Sequence, residues 1–330
     1  MIDTSTIPAY VKEETERVEN ELIPLLAKNQ MLIGFNTDQH LYAIGSPHYL
    51  PAIYGLHALG EIADFIGLDL ICLGGDGCGY SEEDKDRTHI FRDICEINYA
   101  VRNHSTPVIS MAGNHDAGQN NRAITGYEVF NAHMKRSLYN TNAVFANNHS
   151  TNCYMDFDNH RIRVIFLDTN TRKENPVYTA DDRRAYLVNT LNDTLANKKD
   201  YSVIVFSHQP INNTLSPDWF QQPIALQDCL TDFVSRGGHL ICSIVGHSHN
   251  DAWEVNDDIL YIATAQAASH QSNKSMDNIS NERTRGTRTE TAFDIFAIDQ
   301  EEKTITAIRY GCGENRKWSY GENKGKIAFH

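Results

Sequence analysis

Five hydrophobic runs of strand length each end on a short polar cluster, and this repeated pairing constrains the chain more than any other feature. Met31 to Phe35 leads to Asp38-Gln39-His40, and Leu68 to Leu73 leads to Gly75-Asp76. Val108 to Met111 leads to Gly113-Asn114-His115-Asp116, Val203 to Phe206 to Ser207-His208, and Leu240 to Val245 to Gly246-His247-Ser248-His249. Such runs read as buried strands. A buried strand that stops at a polar residue delivers it to the edge of a sheet. Ligands of open α/β sheets bind at the carboxyl ends of strands, so five deliveries can converge although they span most of the chain.

The residue types specify the chemistry. Asp, His and Asn offer oxygen and imidazole donors, with no cysteine in the set, a mixture suited to Mn, Fe or Zn. Two such ions about 3.5 to 4 Å apart clamp the attacking and leaving oxygens of an in-line displacement. The pair needs a shared ligand, and Asp76 is the candidate, since one carboxylate can serve both ions and offset their repulsion. Two carboxylates against two divalent ions leave a positive pocket, which attracts an anion such as a phosphate ester. Singly, each fragment is ordinary turn chemistry. Together, in this order and each directly after an apolar run, they predict a two-metal hydrolase.

The order D-x-H, G-D, G-N-H-D, H and G-H-x-H resembles the calcineurin-like metallophosphoesterase family, from about Met31 to about Ala265. The resemblance implies an α/β (α+β) fold, a four-layer αββα sandwich of two mixed sheets flanked by helices. It implies that Asp38, His40, Asp76 and His249 hold one ion, and Asp76, Asn114, His208 and His247 the other. A metal-bridging hydroxide would attack in line, with Asn114 and His115 contacting the phosphoryl oxygens and His115 as general acid. One departure narrows the substrate class. Members acting on phosphoproteins resemble G-D-x-x-D-R-G at the second motif, whereas this chain has Gly75-Asp76-Gly77-Cys78-Gly79-Tyr80. The orienting acid and the phosphate-gripping arginine are absent there. Asp116 or a more distant carboxylate is a candidate to orient His115, and Arg122 to grip phosphate. The expectation is a phosphodiesterase; a phosphomonoesterase, a DNA-end nuclease and a non-catalytic binding module are the alternatives.

At 330 residues with 41% hydrophobic content, the chain accommodates one large domain. Because the motifs are interleaved along it, residues 31–330 are expected to form one catalytic domain, preceded by a helical arm over residues 1–30 kinked or broken near Pro24. Helices are expected over Pro51 to Phe65, Arg87 to Val101, Asp181 to Ala196 and Ile224 to Arg236, the last closed by Gly237 and Gly238. A polar loop is expected over 269–291, with Arg283, Arg285 and Arg288 as candidate substrate contacts, and a C-terminal hairpin over 293–310. Tyr54, Tyr80 and Trp253 are read as packing residues, and Cys78 as a thiol without an activating cation.

No apolar run approaches the ~20 residues of a membrane span. Seven cysteines without a C-x-x-C pair suit reduced thiols and a cytoplasmic setting. A net charge of −14 disfavours nonspecific nucleic-acid binding. A looser likeness of the N-terminal helix and the tail through Arg316 to bacterial and prophage metallophosphoesterases adds an expectation of phage association.

Overall fold

The computed structural model describes residues 6–41, 49–79, 87–101, 105–117, 124–147, 150–170, 180–212, 215, 226–267 and 283–329. Two seven-stranded mixed sheets face one another. The first has the order β14-β13-β12-β11-β1-β2-β3 and the second β4-β5-β6-β7-β8-β10-β9. In the first, β1 (Met31–Asn36), β2 (Leu70–Leu73) and β3 (Val108–Ser110) are parallel, and β11 (Ala292–Asp299) runs antiparallel to β1. Strands β12 (Thr304–Gly311), β13 (Arg316–Ser319) and β14 (Gly325–Ile327) extend it as a meander. In the second, β6 (Ile162–Leu167), β7 (Ser202–Ser207), β8 (His239–Val245) and β10 (Ile259–Ala263) are parallel. Antiparallel β5 (Cys153–Phe157) with β4 (Val144–Phe145), and β9 (Ala252–Asn256), finish its two edges.

Alternation along the strands builds the layers. Met31, Ile33 and Phe35 of β1 point into the core between the sheets, where Phe35 meets Phe206 of β7 at 5.2 Å between ring centroids. Leu32 points the other way, into a core shared with α1 (Ala9–Leu26) and α2 (Tyr49–Ile62). In the same manner Ile204 and Phe206 face inward, while Val203 and Val205 pack beneath α6 (Ala180–Asn197) and α7 (Gln227–Ser235). A period-2 side-chain pattern on both sheets thus produces helix, sheet, sheet, helix. Helix α3 (Arg87–Ala100) joins β2 to β3, and α4 (Gly126–Val129) and α5 (Lys135–Asn140) follow β3.

Helix α1 runs through Pro24 and ends two residues later, at Leu26. Val11, Val18 and Leu22 are buried along its inner stripe. Strands β9, β10, β13 and β14 were not foreseen, and Trp253 of β9 packs against the inter-sheet core. Of the 269–291 loop, residues 269–282 lie outside the described residues, as do Tyr80 and Arg122. Where it resumes, Arg283 donates to the carbonyls of Ala267, at 3.0 Å, and Gln266, and Arg288 Nη1 lies 3.7 Å from Glu14 Oε2. Among the described residues no helix is long and apolar enough to cross a membrane.

Candidate metal centre

All five predicted clusters meet at the carboxyl ends of β1, β2, β3, β7 and β8. Main-chain bonds beyond the strands lock the loops together: Asp38 N–H donates to Gly75 O at 2.9 Å, His40 N–H to Asp76 O at 2.9 Å, and Gly246 N–H to His208 O at 3.1 Å. The turns are sharp. Asp38, His40, Asp76, His247 and His249 have φ of 54°, 43°, 51°, 62° and 60°, in the left-handed region. They are half of the ten non-glycine residues in that region among those described. Backbone strain of this kind costs about 1–3 kcal/mol per residue and gathers at functional sites. Gly113 and Gly246 permit the close approach: a Cβ on the first would collide with Asp76, and on the second with Thr37 and Asp38.

The two carboxylates divide their oxygens alike. Asp38 Oδ2 accepts from Thr37 Oγ1 at 2.8 Å and from His247 N–H at 3.0 Å, whereas Asp76 Oδ1 accepts from His115 N–H at 2.7 Å. The second oxygens, Asp38 Oδ1 and Asp76 Oδ2, are buried without a hydrogen-bond partner and face imidazole nitrogens. His249 Nε2 lies 3.2 Å from Asp38 Oδ1, His208 Nε2 lies 3.1 Å from Asp76 Oδ2, and the Nε2 atoms of His40 and His249 are 3.0 Å apart. His208 Nδ1 is 2.9 Å from the Gly74 carbonyl, the partner that fixes Nδ1 as donor and leaves Nε2 as lone pair. Asn114 Oδ1 is 3.2 Å from that Nε2.

Three overlapping groups have ligand atoms close enough to share an ion: Asp38, His40 and His249; Asp76, His208 and His247; and His40, Asp76 and His115. Carboxylate oxygens left bare beside converging imidazoles fit divalent cations of intermediate hardness. Without an ion, protons do part of the work. Burial pushes the carboxyls of Asp38 and Asp76 up, but the neighbouring histidines, His208 foremost, hold both below the usual carboxylate range. Burial disfavours the His208 imidazolium, yet Asp76 and Asp38 raise it to about 10. His247, buried and beside His208, drops to about 3.

Asp116 is next to His115 in sequence but spends its carboxylate elsewhere. Oδ2 accepts from the N–H groups of Gly113 at 2.6 Å and Asp76 at 2.8 Å, and Oδ1 from Cys78 N–H at 3.0 Å. It ties the second motif to the third. Sequence reasoning missed Thr37, the Gly74 carbonyl, and His133, whose Nε2 is 3.9 Å from Asp116 Oδ1. Thr37 could have been found by its place beside Asp38; a main-chain carbonyl leaves no sequence signal. Cys78 is buried, and burial together with Asp116 pushes its thiol far up, the reverse of an activated nucleophile.

The family model for calcineurin-like phosphoesterases matches residues 31–251, the span that contains all five clusters. The chain belongs to this family. It is a metallophosphoesterase, a hydrolase of phosphate esters, and the family depends on a binuclear metal centre. No curated protein matches the sequence. Solved structures similar to this metallophosphoesterase include a dimetal phosphatase from Danio rerio, with a TM-score of 0.61 at 13% identity, covering 88% of this chain and 99% of that one. GAP50, the anchor in the inner membrane complex of Plasmodium, follows at 0.53 and 13%, covering 91% and 89%. Purple acid phosphatase PPD1 from yellow lupin seeds gives 0.53 at 11%, covering 87% of this chain and 53% of the other. At these identities the likeness is one of fold.

Proposed function

We propose that this metallophosphoesterase hydrolyses phosphodiesters at a pair of divalent ions. The observation that carries the reading is Asp76 Oδ2: buried, without a hydrogen-bond partner, and on a residue that belongs to two of the three ligand groups. Asp38, His40, Asp76 and His249 would hold one ion, and Asp76, Asn114, His208 and His247 the other, with Mn, Fe or Zn suited to these donors. When bound, such ions neutralise phosphoryl charge and ionise a water near neutral pH.

The chain's own groups supply the rest. His115 is about a quarter exposed, the most open of the imidazoles at the centre, and its ring stands edge-on to His40 at 4.9 Å. From there it hands a proton to the departing oxygen, while the Asn114 carboxamide orients the phosphoryl group. Asp116 acts as a positioning residue for Asp76 and Gly113. The preference for diesters rests on the second motif, where Gly77-Cys78-Gly79 offers no arginine to grip the extra charge of a monoester. The Danio rerio neighbour, described as a dimetal phosphatase, supports the two-ion reading.

Metal-stripped protein, reloaded with Mn, is expected to hydrolyse bis-p-nitrophenyl phosphate and to stop in chelator. Turnover of p-nitrophenyl phosphate alone would reverse the diester preference. No turnover of either would favour a binding role on the same fold, as in the Plasmodium anchor.

A further inference from the structure

Strand β6 is a further buried apolar run that ends on a polar cluster, Asp168-Thr169-Asn170, yet Asp168 is in none of the three ligand groups. All three residues of the cluster are buried. Strand β6 runs parallel to β7, and Leu167 pairs with Ser207. The cluster therefore lies beside His208 and Gln209, at the carboxyl ends where the ligands gather.

From there it reaches both sheets. Thr169 Oγ1 accepts from the main-chain N–H of Gln209, the residue after His208, at 3.1 Å. Asn170 Nδ2 donates to the carbonyl of Ala112, two residues before Asn114, at 2.8 Å. Gln209 follows β7 of the second sheet and Ala112 follows β3 of the first. The two bonds thus bracket His208 and Asn114, whose Nε2 and Oδ1 stand 3.2 Å apart. The bracket is itself held from several directions. Asp168 Oδ1 accepts from Asn170 N–H at 2.9 Å and from Asn170 Nδ2 at 3.2 Å, and Asp168 Oδ2 accepts from Thr151 Oγ1. Asn152 Oδ1 accepts from Asp168 N–H at 2.7 Å. Arg183 of α6 donates to the carbonyls of Thr169 at 2.9 Å and Asn170 at 3.4 Å.

We propose that Thr169 and Asn170 are positioning residues for the ion assigned to Asp76, Asn114, His208 and His247, because they set the separation between the loops that carry Asn114 and His208. The assignment rests on the two-ion reading above. The Gly74 carbonyl, 2.9 Å from His208 Nδ1, orients the ring, whereas Thr169 anchors the main chain next to it. Without that hydroxyl the Gln209 N–H would be buried and unpaired, and the loop would have to shift to satisfy it. Partners that orient metal ligands are typically worth 10- to 100-fold in metal affinity.

The test is Mn titration of the full chain by equilibrium dialysis. Thr169→Val keeps the shape and removes the hydroxyl, and Asn170→Ala removes the amide. Each is expected to weaken one of the two ions about 10- to 100-fold and leave the other unchanged. Thr169→Ser, which keeps the hydroxyl, should bind both ions as the wild type does. Adding His249→Ala to Thr169→Val strips a ligand from the other ion, so neither should then bind tightly. Wild-type affinity for both ions in Thr169→Val or Asn170→Ala, equal weakening of both ions, or a serine variant as impaired as the valine one would overturn the proposal. Should Asn170→Ala fail to fold, the valine and serine variants of Thr169 decide it alone. A wild-type chain that binds a single ion would instead overturn the two-ion reading, and this assignment with it.

Discussion

Asp116 Oδ2 accepts the main-chain N–H of Asp76 at 2.8 Å, so the acid of the third motif holds the backbone of the second. An asparagine can offer only one acceptor oxygen and would aim an N–H at a main-chain donor. Asp116→Asn is therefore expected to lower metal occupancy and kcat/KM by about 10- to 100-fold, as for groups that orient metal ligands. Elemental content and turnover, measured on the same preparation, check it. Full occupancy with normal turnover would remove Asp116 from the positioning role.

Asp76→Asn removes the proposed shared ligand at nearly constant volume. It should abolish turnover and reduce bound metal. Full activity with a single ion per chain would sink the two-ion mechanism.

In His115→Ala the main-chain N–H that bonds Asp76 Oδ1 remains in place. Both ions should stay bound while the rate falls about 10²- to 10⁴-fold, the range of a lost general acid. The loss should shrink for a diester with p-nitrophenolate as leaving group, which needs little protonation, relative to one with an alkyl alcohol. Equal losses on both would assign His115 to charge stabilisation alone.

Gly113→Ala places a methyl against Asp76. Circular dichroism is expected to be retained while metal binding and activity are lost. A variant that binds two ions normally would show that the third-motif loop can shift away from Asp76.

Away from the centre, Arg309 bonds Asp294 at 2.8 Å and Asp251 at 2.6 Å, and Arg316 bonds the same two acids. All four are buried. Burial pushes the Asp294 carboxyl up, and Arg309 and Arg316 pull it below its ordinary range. A depressed folded pKa stabilises above the unfolded value of ~3.9, and the gain is lost as pH falls through the folded value. Arg309→Met, which strands an acid, should cost about 3–5 kcal/mol near neutrality. Denaturant titration should show the gap narrowing below pH ~4, as the wild type loses the same stabilisation. A gap constant with pH would refute the electrostatic account.

The ligand-bearing strands were legible because each is a buried run that stops at a polar residue; Phe35, Leu73 and Phe206 are all at most 2% exposed. Strand β13 was not legible, because Arg316 and Lys317 interrupt its pattern, and the Arg316 charge is hidden by Asp251 and Asp294, distant in sequence. The main-chain bonds of Asp116 to Asp76, Cys78 and Gly113 were not legible, because backbone N–H groups leave no mark in a sequence.

Strand β1, which leads to Asp38, has β2 on one side and β11 on the other. In synthesis order, β2 appears soon after β1, whereas β11 begins only at Ala292, after His249. During translation, the edge of the strand that leads to the first ligand stays open until the residues from Ala292 onward have emerged. All seven proposed ligands, Asp38 through His249, are thus synthesised before the strand that leads to the first of them has its second neighbour.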